Sequence, residues 1–247
     1  MIIAQNVQRH LQPERRTVET GILTVAGMNE LCEDASGDYY DIIADLPGDR
    51  LAVAVGDVSG HGLQAALVMS EARAYLRAFL RTTDGLTRAM DLLNDCLVPD
   101  MQSSQFISLF SAILDASTGT MDWCNAGHNA PLLFRAATGE VRELNATGRI
   151  VGILPDAAYR AGDELALDPG DVLFIYTDGV TEARNGENEL FEEERLNDSL
   201  KNAAAGAADA EAVLDAIRAD LAAYTGETPS EDDVTMMAVM RARETAA

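Results

Sequence analysis

Short turn signals between apolar runs constrain this chain more than any other feature. Residues 39–43 and 51–55 are separated by Pro47-Gly48-Asp49, 106–114 and 120–125 by a loop from Asp115 to Gly119, and 131–135 and 140–144 by Ala137-Thr138-Gly139. A fourth pair, 164–167 and 172–176, flanks Pro169-Gly170. Gly, Pro, Asp and Thr clusters of this length make tight turns. A tight turn joins antiparallel strands, whereas a parallel pair needs a crossover of a dozen or more residues. A doubly wound parallel sheet is thereby excluded for most of the chain. Runs at 21–26 and 234–241 read as a first and a last strand. Helical patterns at 63–81, about 85–97, 192–203 and 208–224 fall in two groups between the strands, with Asp84 expected to cap the second helix. This order predicts an α+β fold of two antiparallel sheets, each covered by helices.

The 247 residues suit one domain over 14–247, preceded by a short amphipathic helix over 1–13 in which Ile3, Val7 and Leu11 recur every fourth position before Pro13. That leading segment is expected either to pack on the domain or to dimerise and carry a signal from a partner. With 18 basic and 41 acidic side chains the formal charge is −23. Such a field repels nucleic acid and anionic membrane, so neither is an expected partner. No apolar stretch approaches the ~20 residues of a membrane span, and the N-terminus lacks the pattern of a secretory signal. A cytoplasmic location is predicted. Cys32, Cys96 and Cys124 are widely spaced and outside any CxxC pattern, and are expected to be buried free thiols.

Four aspartates stand at the edges of apolar runs, three of them beside a glycine. They are Asp38 in Ser36-Gly37-Asp38-Tyr39-Tyr40-Asp41, Asp57 in Val55-Gly56-Asp57-Val58-Ser59-Gly60-His61-Gly62, Asp178 in Tyr176-Thr177-Asp178-Gly179-Val180, and Asp232 in Glu231-Asp232-Asp233-Val234-Thr235. Strand ends can deliver such groups to one place while keeping them near water. Gathered carboxylates repel unless cations neutralise them, and hard divalent ions with oxygen ligands, Mg²⁺ or Mn²⁺, are the natural counter-charges. Asp57 is the strongest position, because the glycines after it let the backbone turn sharply and approach a ligand. Its carboxylate and the Val58 carbonyl can serve two ions at once. Taken singly, Asp57 also reads as a helix cap, Asp178 as an ordinary turn residue, and Asp232 and Asp233 as solvated charges at a strand start. Their conjunction is what points to a metal-dependent hydrolase.

These motifs, together with Asn125-Ala126-Gly127-His128-Asn129 and the run from Leu173 to Ala183, resemble in order the SpoIIE/RsbU-type bacterial branch of the PPM serine/threonine phosphatases. The resemblance covers about residues 20–241. It implies a four-layer αββα sandwich with a dinuclear Mn²⁺ or Mg²⁺ centre at one end of the two sheets. Asp57 would bridge both ions, Asp38 and the Val58 carbonyl would bind one, and Asp178 and Asp232 would complete the other. Asp57, Asp38 and Asp178 would thus carry the chemistry. Two ions about 3.5–4 Å apart can activate water and polarise a phosphoryl oxygen, so no nucleophilic Cys or Ser is required. By the same resemblance the substrate would be a phosphorylated STAS-domain, anti-anti-sigma-like protein in a partner-switching pathway, under an upstream sensor or regulator.

Some positions depart from the family pattern. Ser36 stands where the family has glycine. The eukaryotic branch places a histidine two residues after the bridging aspartate, where this chain has Ser59; His61, two residues on, reads as a proton donor or as an exposed residue at the helix start. His128 is expected to be a satisfied turn histidine, with Asn125 and His128 as possible borders of a substrate groove. Arg15 and Arg16 lie in the wrong context to be the eukaryotic phosphate-binding arginine. Asp233 reads as a supporting or third-metal residue, or as a solvated charge. Two other readings compete with the phosphatase: a phosphatase-like module that binds a phosphoprotein with weak or no catalysis, and a two-metal nucleotidyl enzyme, which lacks a Walker-type phosphate loop here.

Overall fold

The computed structural model describes residue 11 and residues 15–32, 35–102 and 105–243. The expected helix over 1–13 lies, Leu11 apart, outside the described residues. Eleven strands among the described residues form two antiparallel sheets. In the first sheet the order is β1 (Arg15–Thr20), β2 (Leu23–Glu30), β11 (Val234–Arg241), β10 (Val172–Tyr176), β7 (Leu132–Arg135) and β8 (Glu140–Glu143). In the second it is β3 (Tyr39–Leu46), β4 (Arg50–Val58), β5 (Ile107–Asp115), β6 (Thr120–Ala126) and β9 (Leu165–Ala166).

Period-two alternation sorts each strand's residues between two cores. Leu51, Val53 and Val55 of β4, Leu173 and Ile175 of β10, and Met237 and Val239 of β11 meet between the sheets, around Phe110 and Trp123. The other faces pack under helices. Ala52 and Ala54 of β4 lie beneath α1 (Gly62–Thr82) and α2 (Leu86–Leu97), whose Met69, Leu76, Met90 and Leu93 fill that layer. Phe174, Met236 and Met240 lie beneath α4 (Glu192–Gly206) and α5 (Ala210–Thr225), which contribute Leu196, Leu200, Leu214 and Ile217. Strands buried on both faces read as unbroken apolar runs, as these do. The result is the expected four-layer αββα sandwich. No helix among the described residues is long and apolar enough to cross a membrane.

Three of the four turn signals make hairpins: β3–β4, β5–β6 and β7–β8. The fourth does not. Around Pro169-Gly170 the chain leaves β9, paired with β6, and enters β10 in the other sheet, paired with β7 and β11. Asp171 secures that corner. Its buried carboxylate accepts bonds from the Ala136 and Asp168 backbone N–H groups and from the Arg135 guanidinium. β1 is an addition to the expected strands. It lies at the sheet edge, and its Arg15 pairs with Glu211 and Asp215 on α5 at 3.1 and 2.8 Å. Asp84 does not cap α2, whose N-cap is Gly85 at φ 104°. Asp209 does cap α5, accepting from the Ala212 N–H at 2.8 Å. The three thiols divide: Cys124 is buried, Cys96 half-buried, and Cys32 exposed rather than buried as expected.

Candidate active site

Register decides which strand ends meet. β3 begins where β4 ends, with Tyr39 opposite Gly56, so Asp38 and Asp57 share one end of the second sheet. Tyr176 of β10 lies opposite Met236 of β11, which brings Asp178 to Asp232 and Asp233 at one end of the first sheet. The two ends coincide. Asp38 Oδ2 accepts from Thr177 Oγ1 at 2.8 Å and from Thr235 Oγ1 at 2.5 Å, side chains that flank the second pair. Asp178 opens a single helical turn, α3 (Asp178–Thr181).

Two of the flanking glycines are required by close approach rather than by φ. A Cβ on Gly37 would stand 2.6 Å from the Val58 carbonyl and 3.3 Å from Asp57 Oδ1. One on Gly179 would overlap the Asp233 carbonyl. Between these segments lies a cleft of about 350 Å³, lined by Asp57, Asp232, Asp233, Glu231, His61 and Cys32 among others. Its rim at Gly60, His61, Glu231 and Asp232 is exposed, while Asp38 behind it is buried.

The electrostatics follow from this crowding. Burial, then the charges of Asp178, Asp232 and Asp233, push the Asp57 carboxyl up to about 7. Burial and the neighbouring Asp57 raise Asp38 well above the carboxylate range, against the Thr235 and Thr177 hydroxyls that favour its ionised form. Burial and Asp232 also raise Asp178. Like charges left in a low-dielectric setting resist ionisation together. The carboxylates are neighbours but are not drawn in: among the described residues no three acidic, thiol or imidazole groups already stand at ion-gripping distances. Donor chemistry and charge nevertheless suit hard divalent cations. The aspartate donors are all oxygens, and their mutual repulsion is what such ions would relieve.

The sequence model of the family described as Stage II sporulation protein E matches residues 47–242. The chain belongs to the SpoIIE family. It is 32% identical over 239 residues to Protein IcfG of Synechocystis, covering 86% of this chain and 37% of that protein. It is 29% identical over 194 residues to the phosphoserine phosphatase RsbU of Bacillus subtilis, covering 77% of this chain and 55% of the relative. The chain thus spans about a third to a half of the length of these curated relatives. Among solved structures, the RsbU and RsbW domains of Rv1364c from Mycobacterium tuberculosis superpose with a TM-score of 0.75 at 30% identity, covering 93% of this chain and 65% of that one.

Asp57, Val58, Asp178 and Asp232 fall inside the span matched to the SpoIIE family, and Asp38 lies just before it. The Val58 carbonyl lies against Gly37, whose own carbonyl accepts the Val58 N–H at 3.3 Å. Ser36 supports Asp38, accepting that residue's N–H on its hydroxyl at 2.9 Å. His61 is exposed on the cleft wall at the start of α1. Asn125 and His128 stand away from the cleft lining. Asn125 takes the His128 N–H at 2.8 Å, and the His128 ring meets Ser108 Oγ at 2.8 Å. Burial pushes that imidazole down to about 4, so it is neutral at physiological pH. Arg16 turns to Asp41 instead, 3.7 Å away, beside Arg77, which grips the same buried carboxylate with two nitrogens.

The motifs gave Cys32, Thr177 and Thr235 no part in the site and left Asp233 open. Asp233 lines the cleft and accepts the Cys32 N–H at 2.7 Å, so it is more than a solvated charge. Cys32 also donates its thiol to the Ser230 carbonyl at 3.1 Å, tying the end of β2 to the segment that carries Asp232. The pair Thr177 and Thr235 reaches Asp38 from the other sheet. Their position beside expected ligands was the available signal.

Proposed function

We propose that this chain is a metal-dependent phosphoprotein phosphatase that hydrolyses phosphoserine or phosphothreonine. The observation that carries this reading is the meeting of four remote segments at one end of the sandwich: Asp57 and Asp232 line one cleft, Asp38 lies buried behind it, and burial together with the charges of Asp178, Asp232 and Asp233 pushes Asp57 up to about 7. Membership of the SpoIIE family and likeness to a relative named phosphoserine phosphatase RsbU support it. Two Mn²⁺ or Mg²⁺ ions would be held by Asp38, Asp57, the Val58 carbonyl, Asp178 and Asp232. Bound there, such ions supply a reactive water at neutral pH and offset charge on phosphoryl oxygens.

The chain's own residues shape the rest. The exposed rim at Gly60, His61, Glu231 and Asp232 admits a phosphorylated side chain while the bulk of its protein stays outside. Net charge of −23 disfavours a phosphoryl dianion everywhere except where the cleft's own charge is compensated. We take the substrate to be a phosphorylated STAS-domain protein in a partner-switching pathway, acted on in the cytoplasm under an upstream regulator. Residues 1–13 would serve as the contact for that regulator or for a second copy. The presence of RsbU and RsbW domains together in the M. tuberculosis structure favours such a setting.

The test is phosphate release from a serine-phosphorylated STAS-domain protein with Mn²⁺, for wild type and Asp57→Asn. Wild type releases phosphate and the variant loses at least a hundredfold in rate. Equal rates would remove the metal mechanism.

A further inference from the structure

Behind the cleft, four hydrogen bonds share a polarity set by nitrogen donors. The Thr235 backbone N–H donates to Thr177 Oγ1 at 3.1 Å, and Asn29 Nδ2 donates to Thr235 Oγ1 at 2.7 Å. An amide N–H cannot accept, so each threonine hydroxyl receives on its oxygen and has its single proton left to give. Both protons go to the same atom. Asp38 Oδ2 accepts from Thr177 Oγ1 at 2.8 Å and from Thr235 Oγ1 at 2.5 Å. All four residues are buried, with Asp38 4% exposed, Asn29 3%, Thr177 1% and Thr235 0%. Oδ2 is thus occupied by two hydroxyl donors, both from the first sheet or its margin. The main chain is held as well, because the Ser36 hydroxyl accepts the Asp38 N–H.

The brace also crosses the sandwich. Asn29, Thr177 and Thr235 belong to the first sheet or its margin, whereas Asp38 precedes β3 of the second. Thr177 immediately precedes Asp178, and Thr235 follows Asp232 by three residues. A hydroxyl pair on one oxygen therefore sets the spacing between the Asp38–Asp57 pair and the Asp178–Asp232 pair. A packing role alone would be met by valine, which has the shape of threonine without its proton.

We propose that Thr177 and Thr235, backed by Asn29, are positioning residues that aim Asp38 Oδ1 into the cleft and so set the affinity of the site for a divalent cation. This rests on the reading that the cleft binds Mn²⁺ or Mg²⁺. Charge-assisted hydrogen bonds are the stronger and more directional kind, so loss of either should let the carboxylate rotate. The test is calorimetric titration of Mn²⁺ into wild type, Thr235→Val, Thr177→Val and Thr235→Ser, with melting in EDTA as the check on folding. Each valine variant should bind Mn²⁺ at least tenfold more weakly, and Thr235→Ser should bind within about threefold of wild type. Valine variants that fold and bind like wild type would overturn the positioning role while leaving the metal site standing. So would a serine variant as weak as the valine one. Wild type that takes up no Mn²⁺ would instead remove the metal reading and the positioning role with it.

Discussion

Replacing Asp57 by asparagine should stabilise the metal-free protein while destroying its metal site. The carboxyl of Asp57 is lifted from an ordinary 3.8 to about 7 in the folded state. A raised folded value means the native state holds the proton more tightly than the unfolded chain does. Stability from this group is then fully present below pH 3.8, falls as pH rises, and is gone above about 7. A gap of roughly 3 pH units at 1.36 kcal/mol each sets a ceiling of about 4 kcal/mol. Asparagine keeps the shape and never ionises, so it avoids that loss. In EDTA at pH 8 Asp57→Asn should melt several degrees above wild type, since about 1 kcal/mol corresponds to 2–4 °C at this size. At pH 4.5 the gap should shrink to about 1 kcal/mol, or 2–4 °C, provided both still unfold reversibly. With saturating Mn²⁺ at pH 8 the order should reverse, because only wild type gains binding energy. A variant no more stable than wild type in EDTA at pH 8 would refute the claim that burial and crowding make the Asp57 charge costly in this cleft.

Wild type should itself gain about 2.7 kcal/mol at 100 times the dissociation constant of Mn²⁺, read as a rise in melting temperature that EDTA reverses; an unchanged midpoint would count against a formed site. Gly179→Ala places a methyl into the Asp233 carbonyl, so the segment carrying Asp232 must shift. A loss of about 1–3 kcal/mol in urea is expected, with weaker Mn²⁺ uptake by calorimetry, whereas wild-type values for both would show that the segment yields freely. Arg77→Ala removes the two-nitrogen grip on Asp41, a carboxylate only 4% exposed, and leaves Arg73 and Arg16 at 3.6 and 3.7 Å. Roughly 2–4 kcal/mol should be lost on denaturation, short of a full unpairing because those arginines remain. A change under about 0.5 kcal/mol would mean they compensate entirely.

Hairpins were legible because their causes are local. The runs around Pro47-Gly48-Asp49, Asp115–Gly119 and Ala137-Thr138-Gly139 each pair with the next run in the chain. Pro169-Gly170 carries the same turn chemistry yet joins two sheets, since β10 finds its partners in β7 and β11. Nothing within a few residues distinguishes those outcomes; the buried Asp171 that holds the corner takes bonds from 135, 136 and 168. β1 was invisible for another reason. Arg15-Arg16-Thr17-Val18-Glu19-Thr20 shows no apolar alternation, because its outer contacts are ion pairs and a hydroxyl bond to Glu211 and Asp215. Edge strands need only one half-buried face, so polarity does not exclude them.

The aspartates were legible for the opposite reason: each interrupts an apolar run at the point where the sandwich ends. What could not be read was how they are held. Thr177 and Thr235 look like ordinary strand residues until register sets them beside Asp38, which is 139 and 197 positions away respectively. Placement at a sheet end has a physical cause beyond reach by substrate. Asp38, Asp57 and Asp178 all resist ionisation here, so ionised they oppose folding. In mid-strand, facing Phe110 or Ile217, one such group would leave a charge unpaired in a packed layer. At the ends of β4 and β10 the cost falls outside all three packed layers, where water or a cation can meet it. The apolar runs behind those ends, Leu51 to Val55 and Val172 to Tyr176, are packed on both faces and supply the stability against which a strained acidic cluster can be maintained.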